Sequence, residues 1–184
     1  MERFLTSFFG RDPVPVEGKT TRAQLVRTED FDKAASALHP PVLTIYLYRV
    51  DVNHVVRAGW SGVGHLDGRA HLPLDLHFLL TAWADNAESE YRILGAAMEC
   101  LETTPILSGP LLAATGAWAT NEAIQVCTGE MSTEEVMRTF DSLPTDYKLS
   151  VPYVARVVRV DSRTATPDPP TVTVVTGITP SVRT

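Results

Sequence analysis

Two kinds of period run through the middle of the chain. VLTIYLYRV over 42–50 is β-branched and aromatic on both faces, the pattern of a strand in a buried central position. HLPLDLHFLL over 71–80 alternates, with Leu72, Leu74, Leu76, Phe78 and Leu80 on one face. Pro73 near its start is compatible with a strand beginning or an edge. EAIQVCT (122–128) predicts a short strand. Tyr147 to Val160 alternates again and predicts a long one, with a bulge or edge at Pro152. Helical spacing appears twice. Asp85 with Glu88 makes a capping-box pattern ahead of a stripe formed by Tyr91, Leu94, Met98 and Leu101, and Thr103, Thr104 and Pro105 stop that helix. Ser132 and Glu135 make a second box for a short helix through Val136 and Phe140, ended by Leu143 and Pro144.

The remaining stretches have no period. HVVRAGWSGVGHLDGRAH (54–71) is rich in glycine and reads as a long loop. GRDPVPVEGKT (10–20) reads as an extended connector, so residues 1–27 form an N-terminal arm ahead of a body over 28–162. Past the body, residues 163–184 combine a linker stiffened by Pro167, Pro169 and Pro170 with the β-branched segment TVTVVTG. The order of elements defines an α/β (α+β) single domain, a mixed β-sheet flanked by helices, with extended arms at both ends.

Charge narrows the partners. The formal net charge is −6 and the basic residues are scattered, whereas nucleic acid rewards clustered Lys and Arg. No stretch reaches the roughly 18 apolar residues of a membrane span. MERFLTSFFG lacks the apolar region and cleavage site of a secretory signal, so the expectation is cytoplasmic synthesis, with neither nucleic acid nor membrane as partner. Two isolated cysteines, Cys100 and Cys127, read as small buried hydrophobes.

One constellation invites chemistry. His71, Asp75 and His77 occupy odd positions of a predicted strand and share a face, where two imidazoles and a carboxylate can bind iron or zinc. The opposing leucines already account for that pattern as the polar face of a half-buried strand, and no further ligand is spaced to join it, so no metal and no cofactor is expected. GWSGVGHLDG (59–68) misses G-x-G-x-x-G in spacing and G-x-S-x-G at Val63. Glu134 and Glu135 sit at a helix start, where the dipole favours them without a catalytic role. A metal-dependent enzyme using His71, Asp75 and His77, and a small-ligand binder, remain as rivals to an assembly role.

Several stretches together carry a resemblance. Tyr46 to Val50 holds L-Y-R-V, followed by Asn53; then come L-D-L-H-F-L-L-T-A-W, L-G-A-A-M, T-P-I-L, and a late module S-T-E-E-V with Y-K-L-S-V-P-Y. In this order the chain resembles, over about residues 28–162, the N-terminal domain of the cap proteins of extracellular contractile injection systems of the antifeeding-prophage type, related to phage tail terminators. The resemblance implies a non-enzymatic structural cap: a ring, usually of six copies, seated on the last ring of the inner tube protein and contacting the sheath protein. It places the chain in a phage tail-like particle that can be released from the cell. Asp75 and His77 carry over as signature positions without catalytic roles. With Trp60 and the tail residues Thr171, Val172, Val174 and Val175 they make the candidate assembly surface. Another assembly subunit of the same machine, in the baseplate or as a sheath adaptor, is the nearest alternative.

Overall fold

A computed structural model describes residues 1–14, 16, 19–32, 38–60, 69–113, 115–116 and 118–162. Its elements run α1 (Glu2–Arg11), β1 (Arg22–Val26), α2 (Thr28–Asp32), β2 (Val42–Val52), α3 (His54–Trp60), β3 (His71–Trp83), α4 (Ala87–Thr103), β4 (Ile106–Ser108), β5 (Ala123–Thr128), α5 (Thr133–Asp141) and β6 (Ser150–Asp161). The strands form one six-stranded sheet in the order β1-β2-β3-β6-β5-β4. β1 pairs parallel to β2 and every other pair is antiparallel, so the sheet is mixed.

Period 2 sends each strand's side chains to two cores. On one face, Leu43, Ile45, Phe78, Leu80, Val126 and Tyr153 meet the buried stripes of α1 and α4. On the other, Val42, Leu79 and Trp83 meet Phe31 of α2 and Val136 and Phe140 of α5. The α5 box forms as predicted: the Ser132 hydroxyl accepts from the Glu135 amide while the Glu135 carboxylate accepts from the Ser132 amide. Those bonds, with the backbone amide first, hold the Glu135 carboxyl below its usual range.

Several expectations need correction. Glu2–Arg11 is no arm: Leu5 and Phe9 are fully buried, and Arg22–Val26 adds a strand to the sheet, because an amphipathic helix with three phenylalanines finds a sheet face to cover. The cap of α4 is Asn86, whose side chain accepts from the Ser89 amide, in place of Asp85. Its buried stripe is Ile93, Leu94, Ala97, Cys100 and Leu101, while Tyr91 and Met98 lie on the exposed flank. Burial there pushes the Cys100 thiol up to about 11. Part of the expected 54–71 loop is α3, capped by Asn53, whose side-chain oxygen accepts from the Val55 and Val56 amides. Pro152 makes no bulge. Its carbonyl accepts from Gly129 just past the end of β5, so its missing N–H points to the same unladdered spot.

Candidate assembly interface

Strands β2, β3 and β6 run past α1, α2, α4 and α5, leaving α3 as the helix against the distal end of β3. β1 pairs only as far as Tyr46 on β2, and β5 only as far as Arg156 on β6. Beyond those points lies a three-stranded distal half, made of Leu47–Val52, His71–His77 and the end of β6. Its register steps on both sides of β3: Leu47 and Arg49 oppose consecutive residues Phe78 and His77, and Ala155 and Val158 oppose Leu76 and Leu74. Each step is a bulge, which sharpens local twist and re-aims the strand. Neither core takes a buried residue from this half; Leu76, Val158 and Tyr48 reach only the margins.

One face of the distal half is ionic. The Asp51 carboxylate takes Arg49 Nε at 2.9 Å and meets His77 Nε2 at 3.0 Å. The Tyr48 ring stands edge-on to the His77 ring, with centroids 6.0 Å apart. Asn53 donates from Nδ2 to both Asp75 oxygens at 3.1 Å, so one residue caps α3 and holds Asp75. His71, nearly buried, meets Asp161 at 2.7 Å, and Asp161 accepts from Arg159 at 3.0 Å. Partial burial works against the charge on Asp161, but the bonds from His71 and Arg159 outweigh it and hold the carboxyl below its usual range. Arg159 also meets Glu122 at 3.4 Å. The opposite face is apolar and open: Val50 is 49%, Leu72 39% and Val160 50% exposed.

His71, Asp75 and His77 do share a face, but each engages a different neighbour. Among the described residues no group of three His, Cys, Asp or Glu comes together to hold a metal ion. Trp60 ends α3. Thr171, Val172, Val174 and Val175 lie outside the described residues. Sequence reasoning passed over Arg49, Asp51, Arg159 and Asp161, although Arg-x-Asp recurs at 49–51 and 159–161 between valines.

A mixed six-stranded sheet flanked by helices, with its distal ionisable groups engaged in pairs, defines an α+β domain with a terminator-like fold. Among solved structures it is similar to the sheath/tube terminator of PVC, an extracellular contractile injection system, seen by cryo-EM in the extended state. The TM-score is 0.54 at 14% identity, covering 98% of this chain, which spans 62% of the length of that terminator. No curated protein matches the chain by sequence. The Pvc16 N-terminal domain model matches residues 5–174, and the chain belongs to that family. The match takes in α1 and β1, ahead of the stretch over which the sequence resemblance was read.

Proposed function

We propose that this chain is the structural cap of a contractile injection system, a subunit of a closed ring that ends the inner tube and contacts the terminal sheath ring. The observation that carries this reading is the family match over residues 5–174, nearly the whole chain. The fold supports it physically. The proximal half supplies a rigid body, and the distal half offers surface to neighbours in place of a reaction centre. Six copies match a six-fold tube, since a symmetric tube end offers equal contacts only to an equal number of subunits.

The role is mechanical, and the paired ions of the distal half serve to hold the strands. Segment 171–176 serves as a docking strand on a neighbouring subunit of the particle, carried by the proline-stiffened linker. The particle is put together in the cytoplasm. Cryo-EM of particles carrying a tagged copy tests the reading. The tag is expected in a ring at the end far from the baseplate, and cells lacking the protein are expected to yield open or irregular tube ends. A tag at the baseplate, or a single copy at the tube end, contradicts the proposal.

A further inference from the structure

The chain closes most of its sheet edges itself. At β1, Thr6 Oγ1 of α1 accepts from the Ala23 amide at 3.1 Å and donates to its carbonyl at 3.2 Å. β4 is only three residues long and lies between Pro105 and Pro110. A covered edge and a very short edge are both ways of refusing another strand. Beside β6, the approach past Arg156 is narrowed by the start of β5 and by Glu122, which meets Arg159 at 3.4 Å. The outer side of Leu47–Val52 on β2 is different. β1 leaves the ladder at Tyr46, and among the described residues no other strand pairs beyond it. α3 departs from this edge toward β6, where Arg57 lines one hollow with Leu72, Val160 and Ser162. The Asn53 amide donates to the Pro73 carbonyl of β3, and antiparallel ladders alternate. Asp51 and Arg49 therefore also turn inward, while Val50 and Val52 present their N–H and C=O groups outward. The stretch carries neither proline nor lysine.

This edge has two faces, with Val50 and Val52 on the apolar side and Arg49 and Asp51 on the ionic one. A strand that fits it is short, with valine on one face and uncharged polar groups on the other. Thr171–Thr176 has that pattern: Val172 and Val174 share one face, Thr171 and Thr173 the other, and Gly177 follows. The family match runs through the linker as far as Val174. We propose that Thr171–Thr176 of one copy pairs antiparallel with Leu47–Val52 of the next copy in the ring, which rests on the cap reading and names the neighbour on which the tail docks. Val172 then lies opposite Val52 and Val174 opposite Val50. The pairing buries apolar area that each copy leaves in water and satisfies the outward backbone groups of β2. The antiparallel sense brings the segment in at the open end of β2 and leaves Gly177 at the end of β1. A parallel strand would have to enter where Val26 leads into α2. Only a single strand approaches the edge, so β1 and α1 keep their places. The donor is another copy because Ser162 lies against Arg57, and α3 stands between the end of β6 and β2 of the same chain. Residues 163–170 span roughly 25 Å when extended, enough to reach an adjoining subunit. Each copy donates one strand and accepts one, a heterologous contact that closes when repeated around an axis.

Whole particles assembled from a mixture of two variants of different mass test the pairing. One variant carries Val50→Cys and the other Val174→Cys, both with Cys127→Ser, and Cys100 is buried. Val50 is half exposed and position 174 lies past β6, so both chains are expected to fold. Mild oxidation is expected to give the V50C–V174C heterodimer and neither homodimer. The product is expected to be lost when Val175→Cys, on the opposite face of the segment, replaces Val174→Cys. Equal links from 174 and 175, a V50C homodimer, or no link in particles that still carry the ring would overturn the pairing and leave the cap reading standing. A link from V174C to sheath or tube protein would do the same. Both changes in one chain, diluted into an excess of unaltered protein, are expected to give no intrachain bond. Such a bond would put the tail on its own copy and overturn the exchange. The heterodimer with no protein at the tube end would instead sink the cap reading and keep the pairing.

Discussion

The proximal and distal halves of one sheet are built to different rules. In the proximal half, helices cover both faces, thirteen-residue β3 is buried from Phe78 to Trp83, and a threonine hydroxyl closes the outer edge. In the distal half the same three strands run on with valines in water and ions paired across strands. Hydrophobic burial within the chain explains the first half and leaves the second unexplained. We propose that a strand extension with an exposed apolar face gains stabilising contacts from neighbouring subunits.

Mutations can break or sharpen that contrast. The largest effect belongs to the proximal core: Leu80→Ala, at a fully buried site, is expected to lose about 2–5 kcal/mol in urea unfolding, whereas Val50→Ala stays within about 1 kcal/mol yet lowers incorporation into particles. Equal destabilisation by both would erase the distinction. Next comes the sealed edge. Thr6→Val removes both bonds to Ala23 and is expected to cost about 1–2 kcal/mol, with new self-association by light scattering as β1 opens. Ser132→Ala breaks the α5 box at a cost of about 1 kcal/mol, read in the same unfolding assay, and leaves the distal half untouched.

The smallest effect concerns Asp161. Its carboxyl is depressed in the folded state, so its contribution is present above the unfolded value of about 3.9 and is lost as pH falls through the folded one. Asp161→Asn is therefore expected to lower stability by less than about 1 kcal/mol at neutral pH, with the difference from the unaltered protein vanishing as pH falls through the lowered folded value. A difference that grows in acid contradicts the pairing of Asp161 with His71 and Arg159.

The strands were legible because β-branched and aromatic residues fill 42–50 and period 2 runs through 71–80 and most of 147–160, though the last strand begins only at Ser150. The α5 box was legible because both of its partners lie within one turn. α3 was hidden by glycines downstream, although Asn53 ahead of two valines carried its cap. The stripe of α4 was read one flank over, since Ala97 and Cys100 add little hydrophobic weight and Tyr91 and Met98 add much. Strand β1 was missed because Leu25 is exposed and Gln24 breaks the alternation; only its parallel pairing with β2 makes it a strand. Of the candidate surface, Asp75 and His77 were found, but bareness of an edge is a property of the sheet, and no local pattern records it.

Hydrogen exchange of the protein in assembled particles, compared with the free chain, tests most directly whether the distal half is where it meets its neighbours. The account predicts that the amides of Leu47–Val52 and of β6 beyond Arg156 that face away from β3 exchange fast in the free chain and become protected in the particle, while Leu79, Leu80 and Ile93 are slow in both. Protection gained elsewhere, with those distal amides still fast in the particle, would contradict it.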